Sequence, residues 1–308
     1  MTYAAGSLVE ATDLNGFVST NTPNFNNIWS TGSTDSGYGQ TALSTVVAGT
    51  TVAFNPWAAL ITGISNAASH QGTTITAITP VVAGDKIAFL SALSTNLASV
   101  NTGRRNAAAV GTDITTSGTR TANWGTAVSI PTVTSTITVT FASANAARYF
   151  FNAGGAIRIS CSRSGGAGNP QDLAWTQLLT DIGTLGLPAS NSAQTIAGSS
   201  YSGFTKFGGL GSPTVYVRNG FYNLTGTPTT YFRQFSTTGV YTGDNIAMNL
   251  SASATVVTIS VVFTDVLSGI ATDTVTGNLT VTATARPPST AQLTNSWGTP
   301  TVAVTAPA

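Results

Sequence analysis

The sequence predicts an α+β protein that is mainly β: a small N-terminal helical domain, then an antiparallel β-sandwich with one inserted helix. Three observations lead there. Apolar residues recur at helical spacing through roughly the first hundred residues. Past Asn106 the pattern changes to alternation of apolar and hydroxyl residues. A single helical stripe then interrupts the alternation near residues 170–183. The change of period divides the chain into 1–105, read as an attachment domain, and 106–308, read as the sandwich.

The helices follow in order. Thr12-Asp13 caps a short one carrying Leu14, Phe17 and Val18. Asn55 and Pro56 suit an N-cap and first helical position, and Trp57, Leu60, Ile61 and Ile64 follow at i, i+3, i+4 and i+7, to about Ser69. A third opens near Gly84-Asp85, places Ile87, Leu90, Leu93, Leu97 and Val100 on one face, and stops at Gly103-Arg104-Arg105. There two cations complement the helix C-terminus.

In the β part, residues 131–141 alternate apolar and hydroxyl side chains, as a half-buried strand does. Asn152-Ala-Gly-Gly155 reads as a tight reversal between the aromatic run Tyr149, Phe150, Phe151 and a strand at 156–160, so an aromatic hairpin is expected. Asn169-Pro170-Gln-Asp172 opens the inserted helix, with Trp175, Leu178, Leu179 and Ile182 as its stripe and Gly183 or Gly186 as its stop. Residues 214–218, 231–235, 254–263 and 278–285 have strand composition. The last two are expected to pair as a hairpin across a loop beginning Asp265-Val-Leu-Ser-Gly269. Arg286-Pro-Pro-Ser289 ends that strand, and a tail with Trp297 and Val302-Ala-Val304 follows. No repeat of 20–50 residues supports a solenoid.

Composition narrows the function classes. Of 308 residues only 7% are charged, with 11 Lys+Arg against 10 Asp+Glu and a formal net charge of +1. A nucleic-acid interface needs a clustered basic surface, which eleven scattered cations do not form. One cysteine excludes a disulfide framework and a cysteine-based zinc site. Charge is replaced by hydroxyls: 55 residues are threonine. A chain so poor in Lys and Glu lacks the usual guards of exposed strand edges, which suits an assembly that covers them. The start has no basic segment followed by an apolar one, which points to synthesis in a cytoplasm. The apolar stretch 46–64 is broken by Gly49, Asn55 and Pro56, so membrane insertion is not expected.

No catalytic constellation emerges, and no cofactor or metal is expected. His70, the one histidine, falls at a helix end and reads as a cap or packing group. Cys161 lies in a strand-like segment and reads as a small core residue. Glu10 is the one glutamate and the nine aspartates stand singly; Asp265 and Asp273 flank a loop and are the pair most able to approach each other. Gly165-Gly-Ala-Gly168 lacks the strand, helix and lysine of a phosphate loop. The dense aromatic set from Tyr201 to Phe235 reads as core and subunit interface, with a carbohydrate-binding face as the rival.

Several segments resemble structural proteins of tailed bacteriophages. They are the opening Tyr3-Ala-Ala-Gly6 with Val9-Glu-Ala-Thr-Asp-Leu-Asn15, then Asn26-Asn-Ile-Trp29, Gly37-Tyr-Gly-Gln40, Ser69-His-Gln-Gly72 and Gly84-Asp-Lys-Ile87. The most specific is Phe141-Ala-Ser-Ala-Asn-Ala-Ala-Arg-Tyr-Phe-Phe-Asn-Ala-Gly-Gly-Ala-Ile-Arg-Ile-Ser160, similar to a segment of tail-fibre and baseplate-type proteins. The resemblance covers residues 1–165 and the remainder only in style. It implies a non-enzymatic virion component, tail-associated, assembled in the host cytoplasm from copies of itself and other virion proteins. A capsid decoration protein and a receptor module for a host surface glycan are the alternatives. The interface residues expected on this reading are Trp57, Arg148, Tyr149, Phe150, Phe151, Tyr216 and Tyr231.

Overall fold

The computed structural model of the chain describes residues 10–47, 49, 53–266 and 273–308. Residues 3–6 and Val9 of the phage-like opening lie outside the described residues, as does 267–269 of the expected turn. Its helices are α1 (Ala11–Asn15), α2 (Phe25–Trp29), α3 (Phe54–Gln71), α4 (Leu90–Thr102), α5 (Ala144–Asn152) and α6 (Pro170–Ile182). Its strands are β1 (Ile114–Arg120), β2 (Thr132–Thr140), β3 (Ala156–Ser164), β4 (Thr184–Leu187), β5 (Ala193–Ile196), β6 (Ser199–Ser202) and β7 (Thr205–Phe207). They continue with β8 (Val215–Tyr216), β9 (Thr229–Phe235), β10 (Asn245–Ala252), β11 (Val256–Thr264), β12 (Asn278–Arg286) and β13 (Thr301–Val304).

The fold is α+β and mainly β, as its sequence pattern implies. Two antiparallel sheets form the sandwich-like body, ordered β1-β12-β3-β4-β7 and β13-β2-β11-β10-β9-β8, with β5-β6 as a separate ribbon. In β2, Val133, Ile137 and Val139 point inward while Thr134, Thr136 and Thr138 remain half-exposed, which is the strict alternation of a one-faced strand.

Four expectations are corrected. The first is the aromatic hairpin. Residues 144–152 form α5, so Tyr149, Phe150 and Phe151 sit on a helix and only the chain after Gly154 (φ +85°) returns as β3. The Ser143 hydroxyl accepts from the Ala146 amide at 3.0 Å, an N-cap in front of an alanine-rich turn, and both features favour a helix. The second is the 254–263 and 278–285 hairpin. β11 pairs with β10 and β2, whereas β12 pairs with β1 and β3, so the chain crosses from one sheet to the other between them. Alternation shows which face of a strand is buried, not which strand lies beside it. The third is the helix opening at Gly84-Asp85, which begins at Leu90 instead; the Asp85 carboxylate caps the Val82 amide at 2.8 Å in a turn of its own. The fourth is the choice of N-caps: Ala53, not Asn55, is the N-cap of α3, with Asn55 and Pro56 in its first turn, and Glu10, not Thr12-Asp13, is the N-cap of α1.

One hydrophobic core runs across the expected boundary at 105/106, from Leu14 and Trp57 to Val281 and Val302. Polar ties cross it too. Gln40 donates to the Thr294 carbonyl at 3.0 Å and accepts from the Thr294 amide at 2.8 Å, and His70 Nε2 lies 2.9 Å from the Ala153 carbonyl.

The sheet edges meet inside the chain. At one corner the Thr116 hydroxyl of β1 donates to the Val302 carbonyl of β13 at 3.0 Å, and Gly118 lies so close to Thr305 that a Cβ there would sit 2.5 Å from its carbonyl oxygen. At the other, the Lys206 amide of β7 donates to the Tyr216 hydroxyl of β8 at 2.6 Å, and the Phe204 amide donates to the Asn219 carbonyl at 2.8 Å. Scarcity of edge charges is thus offset by geometry.

Candidate functional site

The seven residues expected at an interface separate into two groups. Trp57, Phe150 and Phe151 are fully buried and Tyr231 is 4% exposed, so in this fold they pack the chain's own interior. Phe151 stacks on Phe221 at 4.3 Å between ring centres and 11° between planes, and meets Phe150 edge-on at 5.1 Å. Trp57 packs edge-on to Phe89 at 5.8 Å.

Arg148, Tyr149 and Tyr216 keep surface. Arg148 is a clamp within the chain: its guanidinium donates to the carbonyls of Thr31, Thr34 and Ser36 at 3.0–3.2 Å and to Asn145 Oδ1 at 2.8 Å. Tyr149 lies beside that clamp and against Gly39, where a Cβ would fall 2.4 Å from its ring. Tyr216 receives the Lys206 amide and carries the Arg218 guanidinium 4.8 Å above its ring. Tyr149 and Tyr216 are half-buried, and in the 201–235 set Tyr201, Phe204 and Phe232 are buried outright.

The lone candidates for chemistry are accounted for. His70, on the last turn of α3, is buried, and its Nε2 lies 2.9 Å from the Ala153 carbonyl with the Tyr38 ring edge-on at 5.5 Å. Burial lowers its pKa, outweighing the Ala153 bond, so it is neutral and Nε2–H donates. A histidine whose folded pKa is depressed opposes folding as pH falls through its ordinary value of about 6.5. Replacing His70→Gln should therefore weaken the loss of stability between about pH 7 and pH 5, which urea titrations at the two pH values would measure. Cys161 is buried and its thiol is pushed up to about 12 by desolvation, far from the thiolate needed for attack.

Two charged groupings are only partly legible along the chain, the expected approach of Asp265 and Asp273 being part of the second. Asp35 bonds both Arg104 and Arg105, which hold its carboxyl below the usual range although burial pushes it up. Arg104 also donates to the Asn101 carbonyl at 2.9 Å, the helix-end role its position suggests. The second grouping joins Asp265 and Asp273 to Asp244, at most 1% exposed each. The Thr126 amide donates to Asp265 Oδ2 at 3.2 Å and its hydroxyl to Asp273 Oδ2. The Gln171 amide donates to Asp244 Oδ2 at 3.0 Å. Among the described residues no group of three His, Cys, Asp or Glu side chains has the arrangement to hold a metal ion.

The open recesses lie elsewhere. One of about 220 Å³ between α3 and α4 is lined by Ile61, Ile64, Ile78 and Leu93. Another, of about 290 Å³, lies against Pro287, Pro288 and Trp297. Neither contains an ionisable side chain, whereas a wider one of about 490 Å³ beside Val81 and Phe89 is bordered by Asp85 and Lys86.

The outward sides of the paired strands are hydroxyl surface, while large apolar side chains such as Leu173, Leu210 and Val240 are exposed elsewhere. On the β1–β12 face Thr115, Ser117 and Thr119 pair with Thr284, Thr282 and Thr280 at 2.8–2.9 Å, three rungs of side-chain hydrogen bonds across the strands. On the other sheet Thr136 and Thr138 stand opposite Ser260 and Thr258. No helix among the described residues is long and apolar enough to cross a membrane. No protein-family model matches the chain, and neither a curated protein nor a solved structure matches it.

Proposed function

We propose that the chain is a non-enzymatic structural component of a bacteriophage virion, tail-associated in a fibre, collar or baseplate periphery, and assembled from copies of itself with other virion proteins. The resemblance of residues 141–160 and the preceding segments supplies the virion. The observation that carries the assembly role is the pair of outer sheet faces, covered by threonine and serine with hardly a charge. Such faces are wettable and free of strong long-range repulsion, so neighbours can pack on them without displacing bound counterions. With β1 against β13 and β7 against β8, contacts between copies fall on faces and loops, not on added strands.

The test is to locate the protein in purified particles by cryo-EM and count its copies. A symmetric set of copies on the tail is the expected result. Absence from intact particles overturns the reading, and a lattice-wide position on the head would favour a decoration protein. Hydrolysis of a glycan by the purified chain would overturn the non-enzymatic part.

A further inference from the structure

The Asp244, Asp265 and Asp273 grouping has no role in assembly through sheet faces, and its position is specific. Asp244 precedes β10 and Asp265 follows β11, and because Asn245 pairs with Thr264 the two aspartates stand opposite each other across the strands. Opposed like charges repel, and burial deepens the penalty. Asp273 lies at the far end of the crossing to the other sheet, just before the bridge in which Val275 and Trp124 exchange backbone hydrogen bonds of 3.1 and 2.7 Å. Five pieces of chain thus converge: the ends of β10 and β11, the end of the crossing, the 124–130 loop through Thr126, and α6 through Gln171.

Three features of the contacts point to a proton. Asp244 and Asp265 lie one position beyond the paired Asn245 and Thr264 and are each 1% exposed, so two buried carboxyls share one end of the strand pair, an arrangement that favours a proton on one of them. Gln171 is fully buried and reaches in with its amide, yet its Oε1 has no hydrogen-bond partner, and Oδ1 of the fully buried Asp273 has none either. Among the described residues neither Asp244 nor Asp273 forms an ion pair with arginine or lysine. A buried carboxylate without a cation takes up a proton in preference to staying charged.

We propose that Asp244, Asp265 and Asp273 form a proton-operated latch, closed when the cluster is protonated and loosened when it ionises, that secures the crossing between the two sheets. The groups that face it are the three carboxyls and the Tyr241 phenol of the adjoining turn. Desolvation and the carboxylates raise the phenol's pKa, so it remains neutral. From α6 only Gln171 faces in, since Asp172 is paired with Arg163 and Asp181 accepts from Gln177 at 2.8 Å. Burial and the charge of Asp265 push Asp273 up to about 6, and burial raises Asp244 as well. A carboxyl whose folded pKa is raised adds stability that is complete below its unfolded value of about 4 and is lost as pH climbs through about 6.

The chain with Asp273→Asn, which mimics the protonated side chain permanently, tests this by urea unfolding at about pH 5 and pH 7.5. His70 titrates over the same range in the opposite sense, is present in both chains, and cancels in their ratio. The folding equilibrium constant of the variant relative to wild type should be about tenfold larger at the higher pH than at the lower. A ratio that does not change with pH overturns the latch. Independently of any variant, hydrogen exchange of wild type should show the Trp124 and Val275 amides, which bridge the 124–130 loop to the far end of the crossing, gaining protection relative to β2 as pH falls. Equal protection overturns it, and so does millimolar Ca²⁺ reproducing at pH 7.5 the stabilisation expected from acid, because the cluster would then take a cation.

Discussion

Replacing Phe151→Ala is expected to cost about 3–5 kcal/mol of folding stability, the range for removing a large aromatic ring from a packed interior. Phe151 is fully buried, stacked on Phe221 and flanked by Phe141 at 5.8 Å and Phe150 at 5.1 Å, so the cavity is bounded by rings that cannot collapse into it. The urea midpoint of the variant should fall accordingly. Tyr149→Ala, one position earlier on α5 but half-buried, should cost no more than about 1–2 kcal/mol. The contrast separates core from surface on one helix. If the Phe151 variant instead unfolded at the wild-type midpoint, the buried placement of that ring would be wrong.

Removing residues 1–105 is expected to have a still larger effect: the remaining 106–308 should show no cooperative unfolding transition. The reason is the shared core. Leu14, Phe25, Tyr38, Trp57, Ile64 and Leu97 all belong to the same hydrophobic cluster as Ile137, Phe150, Ile157 and Val281. Cutting the chain at 105 strips that shared side from the β part and leaves Ala153, Thr294 and Ser296 without their partners His70, Gln40 and Tyr38. It also deprives Arg148 of the turn it clamps. Calorimetry or urea titration of the fragment reads this directly, and a sharp transition with a wild-type m-value would show that the β part folds alone.

Much of the architecture is legible in the sequence because one-faced elements write their burial in their periodicity. Trp57, Leu60, Ile61 and Ile64 mark α3, and the alternation at 132–140 marks β2. Pairing is less legible. Thr282 of β12 and Thr258 of β11 look alike along the chain, yet they lie in different sheets, since partner choice depends on contacts over a hundred residues away. The same limit applies to the interface residues: an aromatic run next to glycines is consistent with a hairpin tip or a buried helix, and the signal that decides is the Ser143 cap with its alanines. Of the aspartate cluster, the 265 and 273 pair is foreseeable from its loop. Asp244 is not, because within Thr242-Gly-Asp-Asn245 it reads as an ordinary turn residue.

The inward meeting of the sheet edges has a colloidal consequence. With a formal charge of +1 and an isoelectric point near 7.9, this body has almost no electrostatic barrier to crowding at neutral pH. Most proteins in that condition drift towards precipitation, and exposed strands are a common route. Here that route is closed at both corners, and if copies assemble as proposed, their contacts should change little between low and high ionic strength.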